Sequence, residues 1–158
     1  MAYFSVIIPL YNKESFIEKT LECVLNQTFK DFEIIIVNDG STDNGLEKIK
    51  KFTDNRIKIF QQENQGVSVA RNKGMEMAEG EYFCFLDADD EWKNDCLENF
   101  YKAIVRFTDY LVFSAAIEIE TEKKTIPAQY ALTNFINDCY FIENFFKAST
   151  KFSIIWTS

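Results

Sequence analysis

Four strand-length apolar runs, each followed by a stretch with a different hydrophobic period, constrain this chain more than any other feature. They occupy residues 4–10, 32–37, 56–60 and 82–86 and are rich in Ile, Val and Phe. After the first, the apolar positions become Phe16, Ile17, Leu21, Val24 and Leu25, a helical stripe. After the second, Leu46, Ile49 and Phe52 form the buried side of another helix, with Ser41 or Thr42 placed to cap it. Asn64-Gln65-Gly66 separates the third run from a helical stretch through Val67, Val69, Ala70, Met75 and Ala78 that stops near Gly80. Beyond the fourth, Trp92, Leu97, Phe100, Ile104 and Phe107 describe a further helix, with Asp90 and Glu91 assigned to capping its start or to local hydrogen bonding. Residues 110–119 then predict a strand, and 135–146 a helix. This alternation predicts an α/β fold: a Rossmann-like, mostly parallel sheet with helices on both faces.

The chain has 158 residues, 47% of them apolar and 16 of them Phe, which suits one domain with a sizeable core. Twenty-five acids against 17 bases leave a formal charge of -8, which argues against nonspecific binding to nucleic acid or to an anionic membrane. Cys23, Cys84, Cys96 and Cys139 are widely spaced, with no CxxC pair and no His in the chain, so inert thiols in a reducing compartment are expected rather than a zinc site. No segment reaches the ~18 apolar residues that cross a bilayer, and no signal segment opens the chain. A soluble, cytoplasmic protein is the expectation.

In a parallel sheet the turns after Leu10, Val37 and Leu86 all lie at the C-terminal ends of strands, the edge where ligands bind in open α/β folds. The last of these turns is the most distinctive. Phe83-Cys84-Phe85-Leu86 runs directly into Asp87-Ala88-Asp89-Asp90, and crowding carboxylates there costs energy that a bound cation would relieve. An extended chain through Ala88 would point Asp87 and Asp89 to one side. The same acids also suit an ordinary turn before a helix. Asp39, followed by Gly40, fits either an Asp-Gly turn or a carboxylate that accepts hydrogen bonds from a base or ribose. Asp43 suits the first turn of a helix. Arg71 is either a solvated helix charge or a phosphate grip that pairs with Asp87 when no ligand is present, whereas Lys73 points elsewhere. No GxGxxG turn, GxxxxGK[ST] loop or GxSxG elbow is present, which excludes the common dinucleotide, phosphate-loop and hydrolase sites.

Four blocks in this order resemble the family 2 glycosyltransferases, whose catalytic domain has the GT-A nucleotide-diphospho-sugar transferase fold. They are Ser5-Val6-Ile7-Ile8-Pro9-Leu10-Tyr11-Asn12-Lys13-Glu14, Glu33 through Asp43, Asn64 through Gly74, and Gly80 through Asp90. The resemblance implies a metal-dependent transfer of sugar from a nucleotide-diphospho-sugar, commonly a UDP-sugar, to a hydroxyl of a glycan or lipid-linked acceptor. Inversion at the anomeric carbon and a place in surface polysaccharide or lipopolysaccharide synthesis come with it. Pro9, Leu10, Tyr11 and Glu14 would border the base and ribose, Asp39 would read the base, and Arg71 would stand near the diphosphate. Asp87, Ala88 and Asp89 match the family's DxD motif, with Asp89 as direct ligand of Mg²⁺ or Mn²⁺ and Asp87 as ribose or supporting partner.

Members of the family place the general base well downstream of that motif. Phe152 through Ser158 resembles the approach to a further motif, so residues 1–158 are expected to be the donor-binding portion, with the acceptor-binding portion and base beyond Ser158. Peripheral association of the full-length protein with the inner face of the cell membrane is compatible with such acceptors. The alternatives are a noncatalytic nucleotide-sugar-binding module and a sugar-phosphate nucleotidyltransferase. The latter would usually carry a Gly-rich basic loop where Tyr11-Asn12-Lys13-Glu14 stands.

Overall fold

A computed structural model describes residues 2–107 and the strand segments 112–114, 118–120, 125–127, 135–136, 139–140 and 154–156. The elements of the first part alternate as the hydrophobic periods require: β1 (Phe4–Leu10), α1 (Ile17–Leu25), β2 (Phe32–Asp39), α2 (Gly45–Ile49), β3 (Ile57–Gln62), α3 (Val67–Met77), β4 (Tyr82–Phe85) and α4 (Cys96–Arg106). The strands β5 (Val112–Ser114), β6 (Glu118–Glu120), β7 (Thr125–Pro127), β8 (Phe135–Ile136), β9 (Cys139–Tyr140) and β10 (Ile154–Trp156) follow. One parallel sheet has the order β3-β2-β1-β4-β10-β5, while β6 with β7 and β8 with β9 form antiparallel pairs. The expected Rossmann-like α/β architecture is therefore present.

Alternate residues of β1 feed two cores. Phe4, Val6, Ile8 and Leu10 pack with Ile17, Leu21 and Val24 of α1 and Leu97, Phe100 and Ile104 of α4. Ile7, together with Ile35, Val37 and Phe85, faces Ala70 of α3 on the other side. Helices thus cover both faces, as runs apolar on every residue demand. The buried apolar positions Ile17, Leu21 and Val24 of α1, at spacings of four and three, each contribute about 1.5–3 kcal/mol of burial. Pro9 sits inside β1 without harm. The β1–β4 ladder ends with Ile7 opposite Phe85, so the N–H that Pro9 lacks falls at the end of that pairing and interrupts no bond within it.

Several sequence expectations are corrected. The cap of α2 is neither Ser41 nor Thr42; Asp43 Oδ1 accepts the Gly45 N–H at 3.0 Å instead. Asp90 and Glu91 do not open a helix, because α4 begins only at Cys96, and Asp90 N–H closes a turn onto Asp87 O at 3.0 Å. Val67 and Val69 are exposed, and α3 rests on the small residues Ala70 and Gly74. Of the strand predicted over 110–119, the described residues fall in β5 and β6, which belong to different sheets, and part of the helix predicted over 135–146 is the β8–β9 pair; the remainder of both lies outside the described residues. A short, aromatic-rich run carries too little periodicity to separate the two states.

Cys23, Cys84 and Cys96 are free thiols, as expected. Burial raises all three, Cys96 to about 12. The side chain of Cys139 lies outside the described residues. Among the described residues, no helix is long and apolar enough to cross a membrane.

Candidate active site at the strand ends

The register brings the informative turns together. Leu10 pairs with Asn38, Asp39 with Gln62, and Ile7 with Phe85, so β1 to β4 end on one edge. The turns after β1 and β2 are tied to each other by side chains. Asn12, at φ 51, accepts the Thr42 N–H at 2.8 Å on its Oδ1, and its own N–H donates to Ser41 Oγ at 3.2 Å. Glu14 accepts the Asn44 N–H at 2.7 Å and donates its own N–H to Asp43 Oδ2 at 2.8 Å. Each turn satisfies polar groups of the other, which fixes both without a regular element.

Asp39 closes the next gap. It is buried, and its Oδ1 accepts from Gln62 Nε2 at 2.8 Å and from Gln65 N–H at 2.9 Å, while Oδ2 accepts from Gly66 N–H at 2.8 Å. Burial pushes its carboxyl up, but these three donors together more than offset that and hold it below the usual carboxylate range. Gly66 precedes α3 with φ 91, a backbone state that a residue with a Cβ adopts only under strain.

After β4 the chain turns at Ala88–Asp89 instead of running extended. Helix α1 grips this turn from behind. Buried Thr20 donates from Oγ1 to Ala88 O at 3.0 Å, and buried Gln27 donates to Lys93 O at 2.8 Å and accepts the Leu97 N–H at 3.0 Å. The backbone from Ala88 to Leu97 is therefore held by a side chain of α1 and one just after it, as the separations of 68, 66 and 70 residues record. Arg71 Nη2, rising from α3, lies 2.6 Å from Asp87 Oδ1, the ion pair anticipated for these two residues. Lys13 Nζ lies 2.5 Å from Asp89 Oδ2. Burial raises the Asp90 carboxyl, and repulsion from Asp87 and Asp89 adds to it.

These walls enclose an open cavity of about 580 Å³. Of the residues singled out in the sequence, Pro9, Leu10, Tyr11, Asp39, Asp87, Ala88 and Asp89 line it. Glu14 does not; its carboxylate is turned to the α2 side. Arg71 stands behind the lining and reaches it through Asp87. Sequence reasoning missed Lys13, Asn64, Gly66, Val67 and Ala70, which complete the wall. A signal existed for Lys13: it follows β1, and a parallel β1–β4 pair puts that turn beside the acidic one.

Among the described residues no group of three or more His, Cys, Asp or Glu is placed to hold a metal ion, and the chain has no His. An ion here would rest on Asp89, with or without Asp87, and take its other oxygens from water and ligand phosphate. Mg²⁺ and Mn²⁺ at phosphate sites are held in this way, so the residues present fit such a cation.

The family model described as Glycosyl transferase family 2 matches residues 5–157. The chain is 46% identical over 97 residues to a Bacillus subtilis (strain 168) protein, TuaG, named provisionally as a teichuronic acid biosynthesis glycosyltransferase; the match covers 60% of this chain and 38% of that protein. The structure is similar to that of S. aureus TarS 1-349 in complex with UDP, with TM-score 0.66 and 32% identity over 72% of this chain and 35% of that one. It is also similar to the mannosyltransferase PcManGT from Pyrobaculum calidifontis in complex with GDP-Man and Mn²⁺, with TM-score 0.65 and 25% identity over 74% of this chain and 36% of that one. Matches to the curated relatives span 14% to 40% of their lengths.

Proposed function

The chain belongs to glycosyl transferase family 2, and from that premise we propose that residues 1–158 are the donor-binding portion of a metal-dependent, inverting glycosyltransferase. The donor is a nucleotide-diphospho-sugar, with UDP as its nucleotide. The acceptor is a hydroxyl of a glycan or lipid-linked intermediate in surface polysaccharide or lipopolysaccharide synthesis. One observation carries the reading: Asp39, Asp87 and Asp89, from two separate strand ends, line one cavity, and a basic side chain pairs with each of the last two. The relatives that bind UDP or GDP-Man with Mn²⁺ support it.

In this site the base and ribose lie between the β1 turn and the edge of β2, with exposed Tyr11 offering a ring face to the base. Asp39 is already held ionised by its three donors, so it stays an acceptor at neutral pH and suits a base N–H. Arg71 stabilises charge that develops on the departing diphosphate. When bound at Asp89, Mg²⁺ or Mn²⁺ supplies Lewis-acid stabilisation of the same oxygens. The general base that takes the acceptor proton, and the surface that holds the acceptor, belong to a portion beyond Ser158; the chain's share of its relatives' length supports this. The protein works in the cytoplasm, at the inner face of the membrane where lipid-linked acceptors are met.

Calorimetric titration with UDP, in Mn²⁺ and then in chelator, tests the proposal. Tighter binding with Mn²⁺ supports it. Equal affinity in both, in folded protein, removes the metal-assisted donor site, and a lack of UDP binding in either removes the function.

A further inference from the structure

The two acidic side chains of the Asp87-Ala88-Asp89 segment carry counter-ions of different kinds. Arg71 is only 17% exposed, issues from a regular helix and meets Asp87 with a planar guanidinium. Lys13 is 39% exposed, sits on a turn, and meets Asp89 with a flexible ammonium. The turn backbone of Lys13 is fixed by the bonds between Asn12, Ser41 and Thr42, so only its side chain is free to swing. An alternative perch is at hand, since Lys13 Nζ already stands 5.9 Å from the centre of the exposed Phe16 ring.

We propose that Lys13 is a built-in competitor of the divalent cation for Asp89, so that the cation binds tightly only once a diphosphate draws the ammonium away. The inference rests on the donor-site reading above and adds an order of events to it. An Asp89 oxygen 2.5 Å from an ammonium is already engaged, and a cation at the ~2.1 Å of a Mg²⁺–oxygen bond would face a like charge in close contact. Metal alone must therefore displace Lys13 into water against that attraction. Nucleotide diphosphate removes the obstacle, because its oxygens give the ammonium a new partner on the same cavity wall. Metal and nucleotide then raise each other's affinity by the same factor.

The test is Mn²⁺ binding to the protein without nucleotide, read from the electron paramagnetic resonance signal of unbound Mn²⁺. Wild type is compared with Lys13→Met, Lys13→Arg and Lys19→Met. Lys19 pairs with Glu91, and its replacement removes the same unit of charge from a neighbouring ion pair. Lys13→Met is expected to bind Mn²⁺ about three- to tenfold more tightly than wild type, from release of an exposed ion pair and removal of a like charge. The affinity gained on adding UDP should shrink by the same factor. Lys13→Arg and Lys19→Met should stay near wild type. Equal Mn²⁺ affinity in wild type and Lys13→Met, an equal gain in Lys19→Met, or no Mn²⁺ binding in either protein would overturn the proposal. Circular dichroism checks folding, and Lys13→Gln repeats the comparison if the Met variant is perturbed. UDP binding in chelator reports separately on the donor site, so failure of that reading leaves the nucleotide-free comparison standing.

Discussion

Gly66 donates its backbone N–H to Asp39 Oδ2 at 2.8 Å, which ties the start of α3 to the end of β2. A buried carboxylate at the tip of one element thus sets where the next begins. With Gln65 also donating to Asp39, Asp39→Asn cannot keep both contacts, because one face of the amide would present hydrogens to an N–H. Leaving such a group unmatched costs about 1–3 kcal/mol. Thermal unfolding followed by circular dichroism should show a drop of several degrees, along with weaker UDP binding. An unchanged midpoint would mean that the loop is held by other contacts.

Glu33 makes stability depend on acidity at the opposite edge of the sheet. Burial pushes its carboxyl up, but Ser5 Oγ at 2.7 Å, Lys58 Nζ at 2.9 Å and the Glu79 N–H at 2.6 Å outweigh burial and hold it below the usual range. A carboxyl lowered in the folded state contributes fully above its unfolded value, about 4.3, and the contribution is lost as pH falls through the folded value. Asp39 follows the same rule. Urea midpoints should therefore fall steeply below about pH 4 in wild type. Glu33→Gln should be less stable at pH 7 and show a shallower acid limb.

Arg71→Ala should separate the diphosphate from the nucleoside. A lost charge-assisted contact is worth about 1.5–3 kcal/mol, roughly tenfold to a hundredfold in affinity. Calorimetry should show that loss for UDP and a much smaller one for uridine. Equal effects on both would place Arg71 in support of the fold alone.

Gly74→Ala probes how closely α3 lies on the sheet. A Cβ there would stand 2.3 Å from Ile7 Cγ2, too close for any real contact, so helix or strand must shift. Overpacking of this kind costs about 1–3 kcal/mol. Because α3 carries Arg71, the melting temperature and UDP affinity should fall together. Adding Ile7→Ala, which removes the offending methyl, should make the double variant less impaired than the two single losses combined.

The layered architecture was legible because residues 4–10 and 32–37 are apolar at nearly every position, which only a strand covered on both faces requires. The acidic turn was legible because it abuts such a run. Other features lacked a local signal. The Lys13–Asp89 contact joins residues 76 apart, and the hold of Thr20 on Ala88 joins residues 68 apart, so neither follows from spacing. Asp39 carried a readable ambiguity between turn residue and ligand contact; its partners Gln65 and Gly66 belong to a different connection and could not be named in advance. Ile154 to Trp156 was not anticipated as a strand at all, since three residues show no periodicity.

The place of β10 bears on how the molecule comes into being. It pairs with β4 on one side and β5 on the other, so it joins β5 to the rest of the sheet. On a ribosome that emits about 5–20 residues per second, the stretch from Phe85 to Ile154 takes on the order of ten seconds. Until then the outer edge of β4 lacks its β10 partner, and an unpaired edge is a template for a neighbouring nascent chain. The part of the fold already available during the wait is β3-β2-β1-β4 with helices α1 to α4. In this protein, the strands that carry the cavity are complete in sequence long before the sheet itself can close.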